Sequence, residues 1–283
     1  MSNDEQREYW NGIAGKQWVD QDNTLQRLLQ PAADLLLREP RVPDARKALN
    51  VGCGGGGETL MLSRALNPQA TVTGVDISEP LIALARQRVD AEPALAGRVS
   101  FHCTDASAGD LGAPDYDLVF SRFGVMFFDD PIGAFAHIRA HVASDGSLVF
   151  ACWQQLADNP WVTVPLTAAL TVLPPPEIPP PGSPGPFAFA DGDRTRSLLE
   201  QSGWTNVKVR AESIDLRWNV ASNGTALAQE ILKIGPVSRM LQAAPESEHP
   251  RVYEAVAEAL LPHIENDTLT LSGAIWIVSA TNC

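Results

Sequence analysis

The chain has 283 residues, 45% of them hydrophobic and 19% charged, with a formal net charge of −13 at pH 7. That length accommodates one α/β domain with insertions, or two small domains, around an ordinary globular core. The acid excess, with no clustered basic stripe to offset it, excludes a nucleic-acid partner and argues against attraction to an anionic membrane surface.

The first residues, Met1 to Glu8, are polar and acidic and lack the apolar core of a secretory signal. Up to residue 40 the pattern is helical, with Leu25, Leu28, Leu29, Ala32, Ala33, Leu36 and Leu37 recurring at three- and four-residue intervals. Tyr9, Trp10 and Trp18 crowd a short piece that also holds Gly12 and Gly15, more aromatic surface than an exposed helix face needs. Next, Ala48, Leu49 and Val51 predict a strand that runs into Gly52, Cys53 and then Gly54 to Gly57, and a helix follows from Glu58 to Leu66. Glycines between a strand and a helix let the backbone turn with positive φ and approach a ligand closely, as at the first crossover of a doubly wound sheet. Gly52, Gly54 and Gly57 satisfy the dinucleotide spacing, and Gly52, Gly54 and Gly56 satisfy another, so the loop alone does not name its ligand.

A second strand, Ala70 to Asp76, delivers a carboxylate about 20 residues on, where an acid meets ribose hydroxyls. Ser78 is positioned to cap a helix with Pro80 in its first turn and Leu81, Ile82, Ala85 and Val89 on its buried face. Val99 to Cys103 leads as a strand into the polar Asp105-Ala106 loop. Tyr116 to Ser121 is a further strand, followed directly by the apolar run Phe123 to Phe128 with Arg122 as its odd charge. His137 and His141 fall on a helix whose stripe is Ile132, Phe135, Ile138 and Val142. Ser144 to Gly146 reads as a turn before the strand Ser147 to Trp153.

From Lys47 to Trp153 this series of motifs resembles the class I S-adenosylmethionine-dependent methyltransferases, in the small-molecule branch of the ubiquinone and menaquinone methyltransferases. The resemblance implies an α/β fold with a doubly wound, mostly parallel seven-stranded sheet and helical cap insertions. It implies S-adenosyl-L-methionine as cofactor, held by Trp18, Asn50, Gly52, Cys53, Gly54, Gly56, Asp76, Ile77, Asp105, Ala106, Ser121 and Phe123. Asp105-Ala106 would hold the adenine, the Ser121-Arg122-Phe123 segment would pass under the methionine part, and the aromatic N-terminal piece would fold over the cofactor. One departure stands out: the family places Asp or Glu where this chain has Asn50, which keeps the hydrogen-bonding shape and loses the charge.

Beyond Trp153 the pattern changes. Leu173 to Pro186 holds eight prolines in fourteen residues and reads as a stiff connector. An amphipathic helix at Asp191 to Gly203 and a strand at Val207 to Trp218 return to the core pattern. Helices are predicted at Thr225 to Leu241 and Arg251 to His263, and a closing strand at Leu269 to Ala280. The expected organisation is a single methyltransferase domain over 1–283, with residues 1–40 as a helical lid and 154–190 and 219–267 as cap insertions. No window approaches the roughly 18 uninterrupted apolar residues of a membrane span. Cys53, Cys103, Cys152 and Cys283 show no C-x-x-C spacing and no nearby His at ligand spacing, so no metal site is expected. The first three are expected to be buried reduced thiols in a cytoplasmic protein.

The expected activity is methyl transfer to a small acceptor, apolar or aromatic, with O-methylation first and C-, N- or S-methylation open. Such a displacement needs alignment and water exclusion, and needs a base only for an acceptor proton of high pKa. Catalytic candidates are His249, His263 and Arg122. Arg122 either binds a carboxylate, of acceptor or cofactor, or forms an ion pair with Asp129 or Asp130. Met126, Phe127, Trp153 and Trp161, with Phe187 and Phe189, are candidates for the acceptor pocket, and core packing accounts for them as readily. Two other functions are compatible with the glycine loop: a nicotinamide-dependent oxidoreductase, and a non-catalytic S-adenosylmethionine-binding subunit. Oligomeric state is not legible.

Overall fold

Alternating apolar runs and amphipathic stretches produce the elements in chain order. The computed structural model describes every residue except Met1, Ser2, Ala113, Ile178, Pro179, Pro181, Ala221, Ser222 and Asn223, and only the backbone of Asn3, Asp4, Ile13 and Ala14. The elements are α1 (Asn3–Asn11), α2 (Ile13–Leu28), α3 (Gln30–Leu37), β1 (Lys47–Val51), α4 (Gly57–Ala65), β2 (Thr71–Asp76), α5 (Glu79–Asp90), β3 (Val99–Cys103), β4 (Tyr116–Arg122), α6 (Pro131–Arg139), β5 (Val142–Trp153), α7 (Pro160–Ala169), α8 (Gly192–Gln201), β6 (Thr205–Asn219), α9 (Gly224–Ile231), α10 (Pro236–Ala243), α11 (His249–Leu260), β7 (Ile264–Glu265) and β8 (Thr268–Thr281). No helix of the described residues is long and apolar enough to cross a membrane.

The chain divides into two compact units. The first comprises Met1–Gln154, Gly182–Glu212 and Ile275–Cys283, and the second Gln155–Pro181 and Ser213–Ala274. The sequence pattern set the insertions at 154–190 and 219–267. The structure instead assigns residues 182–190 to the first unit and starts the later excursion at Ser213.

In the first unit the strand order is β3-β2-β1-β4-β5-β8-β6. The pairs β1 with β2, β1 with β4, β2 with β3 and β4 with β5 are parallel, and β8 runs antiparallel to β5 from Ser147↔Thr281 to Trp153↔Ile275. Central strands β1 and β4 are buried nearly throughout, as a sheet covered on both faces requires. Because β1 sits between β2 and β4, its crossovers depart in opposite directions, and a crevice opens beyond the carboxyl ends of these strands. Leu49, Leu62, Phe120, Phe135, Phe150 and Leu36 are fully buried in this core. Fully burying one such side chain contributes roughly 1.5–3 kcal/mol.

Three expectations for this unit change. Ser144 to Gly146 does not precede the strand but forms an irregularity inside β5: the register jumps from Tyr116↔Val142 to Leu118↔Ser147, and Asp145 takes φ 65°. Cys103 is exposed, because β3 is the edge strand, whereas Cys53 and Cys152 are buried. Ser78 occupies the N-cap position of α5, yet its hydroxyl donates to Trp10 O at 2.8 Å. The Glu79 N–H is taken instead by Asn11 Oδ1 at 2.9 Å, a cap supplied from the turn between α1 and α2. Asp191, by contrast, caps α8 by accepting from the N–H groups of Asp193 and Arg194. The proline-rich connector holds no helix or strand among its described residues, and Ile178, Pro179 and Pro181 lie outside them.

In the second unit α11 packs on α7 and α9, burying Val252, Val256 and Leu260 with Val162, Leu227 and Ile231. The helix predicted from Thr225 to Leu241 breaks at Gly235, whose φ of 82° ends one segment before Pro236 opens α10. Asn159 is fully buried and satisfied: Oδ1 accepts from Ala274 N at 2.9 Å and Trp161 Nε1 at 3.2 Å, and Nδ2 donates to Gln155 O at 2.9 Å. β7 and β8 form a tight hairpin with Asn266 and Asp267 at φ 48° and 56°, residue types that tolerate the left-handed region a two-residue hairpin loop requires.

Candidate functional site

A cleft opens in the first unit where β1 to β4 end. Its floor comes from the glycine loop, its sides from the ends of β2, β3 and β4, and a further wall from α1 and α2. Trp18, Gly52, Cys53, Gly54, Asp76, Ile77, Asp105, Ala106 and Phe123 all line it.

The glycine loop takes its shape from two conformational demands. Gly52 has φ +69°, and a Cβ there would stand 2.6 Å from Gly124 Cα, so β1 and the loop after β4 meet backbone to backbone. Gly54 has φ +52°, and a Cβ there would meet nothing within 4 Å. One glycine is needed for packing; the other keeps a ligand's place open.

Asp76 organises the middle of the cleft. Its Oδ2 accepts from Gly54 N and its Oδ1 from Ser78 N, both at 2.9 Å. Each oxygen keeps a lone pair for a ligand. Burial pushes the Asp76 carboxyl above its ordinary range, against the backbone donors of Ser78, Gly54 and Ile77 that pull it down. At the next loop, Asp105 Oδ1 accepts from Ser107 N at 2.8 Å and from Ser107 Oγ at 2.6 Å, beside buried Ala106. Phe123 is held at φ 65°, a strained conformation for an aromatic residue, by its N–H bond to Ala151 O at 3.0 Å. Trp153 stacks on it with ring centroids 4.4 Å apart and planes 9° from parallel.

Arg122 forms its ion pair with neither Asp129 nor Asp130. Its Nε lies 3.1 Å from Glu58 Oε2, in the first turn of α4, and its Nη2 donates to Gln26 Oε1 at 2.9 Å from α2. Asp130 caps α6 instead, accepting from Gly133 N. Both members of the Arg122–Glu58 pair line the cleft. Burial drives the Glu58 carboxyl up to about 7, although Arg122 opposes the shift. Glu58 Oε1, Arg122 Nη1 and Gln6 Nε2, all on the cleft wall, are buried without a hydrogen-bond partner. A buried polar atom left unmatched costs about 1–3 kcal/mol, so a wall carrying three calls for a polar ligand.

Other expected positions lie elsewhere. Asn50 is fully buried beneath the loop, its Nδ2 donating to Thr59 Oγ1 at 2.9 Å. Gly56 lies against Ala85 and Phe101, within the hydrophobic cluster that holds α5 to the sheet. Ser121 Oγ donates to Val51 O at 2.8 Å and accepts from Gly124 N at 3.2 Å, closing the loop after β4 from behind. Met126 is buried below the wall, whereas Phe127 lines it, edge-on to Trp10 at 5.4 Å. Phe189 is core, between Phe135 and Phe150. Trp161, His249 and His263 belong to the second unit. There His249 Nε2 lies 3.0 Å from Leu241 O, and His263 closes the short turn after α11. None of the five histidines is among the lining residues.

Sequence reasoning missed the polar part of the α2 wall. Trp18, Asp22, Leu25, Gln26 and Leu29 share one face, and the signal was the pair of polar residues, Asp22 and Gln26, set inside an apolar stripe. Asp22 contacts Arg88 at 2.6 Å, and Arg88 also donates to Gly55 O at 2.7 Å, which ties α2 and α5 to the glycine loop.

Residues 48–146 match the family model described as a methyltransferase domain. A trans-aconitate 2-methyltransferase of Variovorax paradoxus is 27% identical over 150 residues, 53% of this chain and 51% of the relative. A malonyl-[acyl-carrier protein] O-methyltransferase of Bacillus anthracis is 26% identical over 143 residues, 50% of this chain and 51% of the relative. The chain thus spans about half the length of these curated relatives. Among solved structures, a putative methyltransferase from Bacillus halodurans C-125 superposes with a TM-score of 0.56 at 11% identity, covering 89% of this chain and 99% of that one, a likeness of fold.

Proposed function

We propose that this chain, whose residues 48–146 form a class I S-adenosylmethionine-dependent methyltransferase domain, transfers the cofactor's methyl group to an oxygen of a small acceptor. The observation that carries the reading is Asp76, fixed between Gly54 N and Ser78 N with a lone pair free on each oxygen, beside the open face of Gly54. S-adenosylmethionine supplies the electrophilic methyl group and a neutral thioether leaving group. The chain binds and orients. Asp76 takes the two ribose hydroxyls, Asp105 and the Ala106 N–H take the adenine edge, and the backbone of Gly52 to Gly54 accepts close approach. Trp10, Phe123, Phe127 and Phe128 present apolar ring surface that excludes water and suits an apolar or aromatic acceptor. Alignment of this kind supplies roughly 7–11 kcal/mol when the reacting atoms are well placed.

An oxygen nucleophile that arrives already ionised needs no base, which accords with a lining that holds no histidine. Two curated relatives bear names that specify trans-aconitate and a malonyl group, both carboxylic acids. The second unit, outside the matched domain, is proposed as the part that selects the acceptor. The four cysteines are free thiols, consistent with a cytoplasmic setting. Calorimetric titration with S-adenosylhomocysteine and with NADH, followed by labelled-methyl assays over small carboxylic acids and phenols, tests the reading. Binding of NADH alone refutes it, and cofactor binding without turnover across that panel favours a non-catalytic subunit.

A further inference from the structure

The strand order β3-β2-β1-β4 lays the cleft's functional groups out in a line. Asp105 follows β3, Asp76 ends β2, the glycines follow β1, and Arg122 ends β4. Neighbouring strands are about 4.8 Å apart, so the line is about 14 Å long, the scale of an extended nucleoside carrying an amino-acid tail. With the adenine at Asp105 and the ribose at Asp76, as the function proposed above has it, the tail reaches the Arg122 end.

That end holds an ion pair with one unmatched atom of each sign. Glu58 and Arg122 side chains are 3% and 6% exposed, and Glu58 Oε1 and Arg122 Nη1 are buried without partners. A ligand with only a carboxylate would satisfy Arg122 and set an anion against Glu58. A ligand with only an ammonium would do the reverse. A group carrying both charges on adjacent atoms satisfies both. We propose that Glu58 and Arg122 together form the subsite for a zwitterionic α-amino-acid group, the tail of the cofactor, with Arg122 Nη1 on the carboxylate and Glu58 Oε1 on the ammonium.

This assignment moves the negative charge away from the end of β1. Asn50 there is neutral and fully buried; its Nδ2 donates to Thr59 while its Oδ1 has no partner, and it does not line the cleft. The acid sits instead in the first turn of α4, where the helix N-terminus favours it. Buried there, it needs a counter-ion, and Arg122 provides one from β4. Gln26 from α2 fixes the guanidinium through its Nη2, leaving Nη1 free for the ligand.

The test compares S-adenosylhomocysteine with 5′-methylthioadenosine, which keeps the adenine, ribose and thioether but lacks the amino acid. Affinities are measured by calorimetry. The wild-type protein should prefer S-adenosylhomocysteine by at least a hundredfold. In the double variant Glu58→Met with Arg122→Met, that preference should fall below tenfold while methylthioadenosine affinity stays within threefold. Exchanging a buried ion pair for apolar side chains of similar volume is generally tolerated by a fold, and Glu58→Gln with Arg122→Gln serves as the second variant if the first does not fold. A folded variant that keeps the preference overturns the proposal. So does one that loses affinity for both ligands equally, since the pair would then only support the loop. If the wild-type protein bound neither ligand, the cofactor reading itself would fall, an outcome distinct from a lost preference.

Discussion

Replacing Asp76 with alanine tests the cofactor site most directly. The carboxylate accepts Gly54 N on one oxygen and Ser78 N on the other, each at 2.9 Å, and so joins the glycine loop to the start of α5. Each oxygen retains a further lone pair, and in the proposed function these take one ribose hydroxyl each. Losing two charge-assisted hydrogen bonds to a ligand should cost about 2–4 kcal/mol, or roughly 30- to 900-fold in affinity for S-adenosylhomocysteine. The two backbone bonds are lost as well, but removal also relieves the burial that holds this carboxyl above its ordinary range. The net destabilisation should therefore stay below about 3 kcal/mol, and a cooperative thermal transition should persist. A looser loop would weaken every ligand, so affinity alone is not decisive. The assay adds a 2′-deoxy analogue of S-adenosylhomocysteine. The wild-type protein should discriminate against the analogue, and Asp76→Ala should bind the two ligands alike. A folded variant that still discriminates would falsify the ribose assignment, whatever its absolute affinity.

Gly54→Val meets no steric clash, but a β-branched residue resists φ +52°, so the variant should fold with reduced stability and lose at least a hundredfold in S-adenosylhomocysteine affinity. Gly52→Ala should instead fail to fold, since its Cβ would stand 2.6 Å from Gly124 Cα. Full binding by the first variant would make the loop a structural turn only. Asn11 ties the α1–α2 turn to the loop after β2, donating to Ile77 O at 3.0 Å and accepting from Glu79 N at 2.9 Å. Asn11→Ala should destabilise by about 1–2 kcal/mol and accelerate hydrogen exchange selectively in residues 3–28; a uniform change across the first unit would count against a local tether. For Glu58, the groups facing it are Arg122 from β4 and Cys53 in the glycine loop, with neutral Gln26 from α2 completing the cluster. Its carboxyl, raised to about 7 by burial, must be ionised to hold an ammonium. Affinity for S-adenosylhomocysteine should therefore rise about fivefold from pH 6 to pH 7, as the ionised fraction climbs from about a tenth to a half. Glu58→Gln should abolish that slope, and a wild-type profile no steeper than the variant's would count against it.

Local chemistry made the first half of the chain legible. The glycines after β1 are demanded by positive φ, and Asp76 and Asp105 lie where strands of a parallel sheet deliver side chains to one edge. All of these are constraints between residues close in sequence or one crossover apart. The same logic read α8 from its amphipathic pattern and β8 from its closing β-rich run. What tertiary structure decided is how residues far apart in sequence pair. Arg122 looked equally ready to pair with Asp129 or Asp130, yet its partner is Glu58 and its second ligand Gln26, brought together because α2 and α4 converge on the end of β4. Asn11 became the cap of α5 and Ser78 the anchor of Trp10, a reversal that needs the N-terminal turn docked on the loop after β2. Spacing predicts which side chains reach a sheet's carboxyl edge, because the strand geometry is periodic. It does not predict which buried charge finds which partner, because that depends on where separate elements pack, and the long-range packing energy that decides it is spread over the whole core.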